Sequence, residues 1–153
     1  LGPDLDGLAV EIDESDDSPD AFLRAREMGY HGVSSKSCKG VYRALLNRVR
    51  VDVWNEAAGA ANHFMSAEDL STPPGLAVQQ DLALASILGV GHVERNGHFY
   101  GDGTTGIDPQ DKEARMAALP YLYRVDRGRL MLRITDGTIN LIDLHAGPGG
   151  YAG

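Results

Sequence analysis

Four short strand-like segments, each ending near a charged residue and the first three each followed by a helix-like stretch, constrain this chain more than any other feature. They are LAVEIDES (8–15), HGVSSKSCKG (31–40), HFMSAEDL (63–70) and GHVERNG (91–97). They recur about every 25–30 residues, the length of a strand, a helix and their connections. Strands joined in this way lie parallel, with right-handed crossovers. A (β/α)8 barrel gathers its active site at the C-terminal ends of such strands. Asp13, Lys36, Glu68 and Glu94 are therefore expected to converge on one mouth. A full barrel needs eight units, and this chain supplies about four. The expected fold is α/β: the C-terminal half of a (β/α)8 barrel over residues 1–98, then an extension over 99–153.

The connecting stretches carry helix signals. Ser18 or Asp17 can cap a helix over about 19–28, with Pro19 at its first position and Gly29 beyond its end. A second helix spans about 40–57, where Leu45, Val49 and Val53 recur on one face with Tyr42 and Leu46 beside them. Its arginines, Arg43, Arg48 and Arg50, lie near Asp52 and Glu56 and read as a solvated face. The third helix, GLAVQQDLALASILG, is apolar on most of its circumference and is expected to pack on a sheet. After residue 98 the pattern changes to a Gly-rich loop and a short helix, with Asp108 as cap and Pro109 at its first position. YLYRVDRGRLMLRITDGTINLIDL then reads as antiparallel strands, with turns at Asp126–Arg127–Gly128 and Asp136–Gly137. HAGPGGYAG is expected to be an irregular tail.

Net charge is −8 with no Lys/Arg cluster to offset it, which argues against nucleic acid or an anionic membrane as partner. No apolar run approaches the ~18 residues of a membrane span. Cys38 is the one cysteine, so no intramolecular disulfide can form and the cytoplasm is the default compartment. The chain opens with Leu1 almost directly into a strand, as a segment cut from a longer polypeptide would.

The charged strand ends carry the chemistry. A carboxylate such as Asp13 in a barrel mouth is a natural ligand for Mg²⁺, a hard cation that prefers oxygen; the bland reading of DESDD is a solvated acidic loop. Glu11 shares the face of Asp13, and Ser34 shares the face of Lys36. A lysine in such a mouth can act as general acid/base or form a Schiff base, against the bland reading of a surface lysine beside Lys39. Glu68, and the cluster of Glu94, Arg95, Asn96 and His98, complete the strand ends. Each alone reads as a salt bridge or cap. Together they read as a site, because independent surface charges need not recur at corresponding places in four units. Gly101, Gly103 and Gly106 spell G-x-G-x-x-G, but without the strand before and the helix directly after that a dinucleotide fingerprint requires.

These residues resemble the enolase superfamily, in the branch of mandelate racemase and muconate lactonizing enzyme. Ile12-Asp13-Glu14-Ser15 is similar to that branch's D-E-S strand end, and Gly32-Val33-Ser34-Ser35-Lys36, with Gly40 downstream, to its lysine-bearing strand. FMSAEDL and Glu94 are similar to the next two strand ends. The resemblance runs from the family's fifth strand to its C-terminus; the family's two other metal carboxylates, its K-x-K motif and its capping domain have no counterpart in this chain. It implies a Mg²⁺ enzyme that abstracts a proton α to a carboxylate, as racemase, dehydratase or cycloisomerase. Asp13 would ligate metal, Lys36 would be the acid/base, and Glu68 and Glu94 would assist. Glu11, Ser34, Asn96 and His98 would contact substrate. The implied partners are a small carboxylate substrate and the N-terminal half of the enzyme or another copy of the chain, with no nucleic acid and no membrane. Two rivals stand beside this reading: a class I aldolase-like enzyme with Lys36 as Schiff base, and a non-catalytic assembly module.

Overall fold

The computed structural model describes residues 7–68, 74–95 and 107–146. They fall into two compact units. The first takes in residues up to 68 together with 85–94, and the second takes in 74–84 and 95 onward.

In the first unit the strands are β1 (Glu11–Ile12), β2 (Gly32–Ser35), β3 (Phe64–Glu68) and β4 (Val93–Glu94). They form one sheet in the order β1-β2-β3-β4, and every neighbouring pair is parallel. The strands between 1 and 95 thus take the expected order and direction but are shorter than the segments that announced them. The helices α1 (Ala21–Glu27) and α2 (Val41–Ala58) connect β1 to β2 and β2 to β3, and α3 (Leu76–Ile87) follows β3 in the chain, with residues 76–84 in the second unit. α1 begins at Ala21 and not at Pro19: the Ala21 amide bonds to Ser18 O in a turn that precedes the helix. Asp20 takes the N-cap position without a side-chain capping bond. Gly29 has φ +90°, the left-handed conformation that ends the helix there.

Parallel register gives the sheet two unlike faces. Residues aligned across parallel strands point the same way, and alternate residues point opposite ways. Ile12, Val33 and Met65 align, as do Ser35, Ala67 and Val93. This face is largely apolar; Val33 is fully buried, and Phe22, Ala25, Ala44 and Val51 of the helices are buried with it. The other face aligns Glu11, Gly32 and Phe64, then Ser34 with Ser66, then Glu68 with Glu94. It is polar except for the Phe64 ring, and Ser66 Oγ lies 2.8 Å from both carboxylate oxygens of Glu11.

The second unit holds α4 (Pro109–Ala118), the hairpins β5–β6 (Tyr123–Asp126, Arg129–Leu132) and β7–β8 (Ile134–Thr135, Thr138–Ile139), and α5 (Ile142–Ala146). Asp108 caps α4 through Gln110 N at 2.7 Å, with Pro109 at the start. Both hairpins turn on two residues of positive φ, Arg127–Gly128 and Asp136–Gly137, as tight hairpin turns demand. Tyr123 is fully buried and its hydroxyl meets Gln79 Nε2 at 3.1 Å. α5 corrects the sequence reading: Ile142–Leu144, the end of the stretch expected as antiparallel strands, and the first two residues of the expected tail are helical, with Asn140 Oδ1 accepting from Ile142 N at 3.0 Å where the helix starts. The G-x-G-x-x-G stretch lies outside the described residues. No helix among the described residues is long and apolar enough to cross a membrane.

Candidate functional site

The sequence around Lys36 explains its position. β2 is the central partner of β1 and β3, and all four of its residues are buried. Lys36 follows Ser35 directly, still extended at φ −137°, and a one-turn 3-10 helix, Ser37–Lys39, then leads to Gly40. Gly40 has φ +101°, so the chain breaks there before α2 starts. Lys36 is thereby held at the strand's C-terminal end with only 4% of its side chain exposed.

Its ammonium lies between the ends of the two flanking strands. Lys36 Nζ donates to Asp13 Oδ2 at 2.8 Å and meets Glu68 Oε2 at 2.6 Å, with Glu14 Oε1 at 3.5 Å. Burial alone would lower the Lys36 pKa. The hydrogen bonds and charges of Asp13 and Glu68 outweigh burial and push it well above the ordinary lysine value. Lys36 is an ammonium in this arrangement.

Lys39, which the sequence reading names only as the neighbour of Lys36, is a member of the site. Its Nζ donates to Asp13 O at 2.7 Å, Asp13 Oδ1 at 2.9 Å and Ser34 O at 3.1 Å. The turn over Ser37–Lys39, closed by Lys39 N on Lys36 O at 3.0 Å, brings Lys39 back to the strand end that Lys36 occupies; the spacing S-K-S-C-K permits this turn without requiring it. Asp13 therefore holds an ammonium on each oxygen. Burial would raise its pKa, but the two lysines outweigh that and bring it down to about 2.

The turn that carries Asp13 is itself pinned. Asp16 N bonds to Asp13 O at 2.9 Å, and Arg43 Nη1 donates to Asp16 O at 2.5 Å. The Asp16 carboxylate is buried, with Asn47 Nδ2 at 3.4 Å. Burial raises its pKa against the pull of Lys39, Arg43 and Arg50.

Of the residues expected at the mouth, Asp13, Lys36 and Glu68 come together in direct contact. Glu94 sits beside Glu68 in the β3–β4 register and is exposed. Ser34 is on the same polar face, buried, and offers its carbonyl to Lys39. Glu11 is two residues deeper on β1 and is bound to Ser66. Asn96 and His98 lie outside the described residues. Cys38 is exposed and free.

For Mg²⁺ the donor set is incomplete. The ion takes six oxygens in a near-octahedral shell, several of them from water. Among the described residues no group of three or more His, Cys, Asp or Glu side chains could hold a metal ion. Asp13 offers one carboxylate, and both its oxygens are engaged by ammonium groups. These residues by themselves do not compose a Mg²⁺ site. In this arrangement Lys36 and Lys39 are already paired with Asp13, and Lys36 also with Glu68, so the carboxylates fix where Lys36 Nζ can present a proton.

No family model matches the chain, and neither a curated protein nor a solved structure matches it.

Proposed function

We propose that this chain is the C-terminal half of an enolase-like (β/α)8 barrel, acting in the cytoplasm on a small carboxylate substrate. In that reading it supplies Lys36 as proton-transfer residue and Asp13 as one metal carboxylate of a site completed by upstream strands. The reaction is proton transfer at the carbon α to the carboxylate, as in a racemase, dehydratase or cycloisomerase. The observation that carries the reading is the polar sheet face ending in Asp13, Lys36 and Glu68. An open doubly wound sheet is covered by helices and apolar on both faces. A barrel with helices only outside can turn polar side chains toward its mouth. The strand order β1-β2-β3-β4 is also barrel order.

The charged state of Lys36 favours proton transfer over imine formation, which needs a neutral amine. As an ammonium it can deliver a proton to an enolate carbon. To accept one it must first pass its proton to solvent water, and withdrawal of the Asp13 carboxylate, whose hydrogen bond and charge hold that proton, is the change that makes this possible. Glu68 keeps the amine aimed from the other side. Glu94 at the rim, with Glu11 and Ser34 on the same face, would line the substrate's path. Mg²⁺ in the completed site would neutralise charge developing on the substrate carboxylate.

The test is exchange of the substrate α-hydrogen with D₂O, using the chain joined to the strands that complete the barrel. Lys36→Met is expected to lower exchange by about 10²–10⁴-fold while leaving Mg²⁺ affinity close to wild type. Asp13→Asn is expected to weaken Mg²⁺. Full exchange in Lys36→Met would remove Lys36 as the proton-transfer residue.

A further inference from the structure

A helix packed on a sheet ordinarily turns its apolar stripe inward. α2 buries Ala44, Asn47 and Val51 instead. Its outermost line is Tyr42, Leu46, Val49 and Val53, which are 90%, 40%, 57% and 54% exposed. Val41 and Leu45 extend this ridge on one side and are exposed as well. At 3.6 residues per turn the four outermost residues fall within about 60° of one another. No charge interrupts the line between Tyr42 and Val53; the next position along it is the exposed Glu56. Arg43 and Arg50 reach back to the carbonyls of Asp16 and Pro19, and Arg48 is paired with Asp52.

The ridge has a second property. Its spacings, four, three and four residues, read the same from either end. A two-fold axis crossing α2 between Asn47 and Arg48 maps Tyr42 onto Val53 and Leu46 onto Val49, and it places Glu56 opposite Lys39 and not opposite another carboxylate. The same spacing is the alternating seam of a coiled coil. A two-fold contact needs a patch complementary to itself, and here the largest side chain of one end meets a small one of the other. The exposed apolar surface of these side chains is on the order of 500 Å² per copy, so a pair would bury on the order of 1,000 Å², the lower edge of specific interfaces.

We infer that α2 pairs antiparallel with α2 of a second copy of this chain, forming a two-fold dimer centred between residues 47 and 48. Charge does not oppose it, because the arginines flanking the ridge are turned away or neutralised within their own chain. The dimer uses none of the strand-end residues Asp13, Lys36 and Glu68.

Sedimentation velocity on the chain is expected to show a dimer. Leu46→Glu and Val49→Glu each place a charge against an apolar partner and are expected to weaken dimerisation by at least about 100-fold. Both sites are exposed, so circular dichroism should show the fold unchanged. The register is read by cross-linking in a Cys38→Ser background. Tyr42→Cys mixed with Val53→Cys is expected to give a disulfide-linked pair, and Tyr42→Cys alone is not. A wild-type monomer at about 100 μM overturns the proposal, and if an upstream segment then covers the ridge, that segment is its occupant. A dimer indifferent to Leu46→Glu, or one linked through Tyr42→Cys alone, overturns it equally.

Discussion

Gly32 faces Phe64 across the β2–β3 register, and a Cβ placed on it would stand 2.6 Å from the ring. The ring is stiff and part of the sheet's polar face, so the backbone would have to yield. Gly32→Ala is expected to cost about 1–3 kcal/mol by overpacking. Gly91→Ala, with nothing within 4 Å of the new methyl, is the matched control. Urea denaturation of the two variants checks this: equal midpoints would show that the sheet accommodates the methyl. His63 offers a pH test. Its ring lies 5.1 Å from Trp54 and 6.4 Å from His31, and Arg26 sits over Trp54. Burial first, then the charges of Arg26 and His31, lower its pKa. A histidine whose folded pKa lies below its unfolded value stabilises the fold above the unfolded value, about 6.5, and loses that contribution as pH falls through the folded one. Stability is therefore expected to decline on acidification below about pH 6.5, and His63→Phe should flatten that limb; an unchanged limb would assign the decline to other groups. At this scale Asp13 and Lys36 were legible, because each stands at the end of a strand whose period shows in the sequence. Lys39 was not, because its role depends on a single 3-10 turn that bends it back over Asp13.

At the scale of elements, local chemistry did most of the work. The α4 cap is the clearest case, since Asp108, Pro109 and the amide of Gln110 lie within three residues. Asp108→Ala is expected to lower stability by about 1 kcal/mol and to speed hydrogen exchange of the Gln110 amide, whereas Asp108→Ser should retain both. No change in exchange would show that the cap bond contributes nothing. The two hairpin turns were equally legible, because Arg127–Gly128 and Asp136–Gly137 need positive φ at adjacent residues. α1 starts two residues later than its sequence signals suggest. Pro19 suits a first helical position, but the Ser18–Ala21 turn occupies it, and the Pro19 carbonyl accepts from Arg50 of α2 instead. The apolar stripe of α2 was legible as a stripe, but its period alone does not say which way the stripe points.

For the molecule as a whole, the mouth can be tested with metal. With both Asp13 oxygens held by lysines, Mg²⁺ at millimolar concentration is expected to shift the chain's Tm by less than about 1 °C, since a ligand stabilises only in proportion to its occupancy of the native state. Thermal denaturation with and without the ion checks this; a large shift would mean that other oxygens of the chain complete a site. The sequence by itself determined the strand–helix order from β1 to β4, the parallel direction of those four strands, the α4 cap, the two hairpin turns and the grouping of charges at the strand ends, but not the 3-10 turn at Ser37–Lys39 or the helix α5. Those features rest on periods of 2 and 3.6 and on turn chemistry, all set by neighbours within a few residues. Only the tertiary structure decided that one sheet face is polar from Glu11 to Glu94, that the α2 ridge looks outward, and that Lys36 is an ammonium. These depend on groups far apart in the chain, 23 residues for Lys36 and Asp13 and 55 for Ser66 and Glu11. Whether burial or a nearby carboxylate prevails on a lysine is a matter of distances, and packing alone sets them.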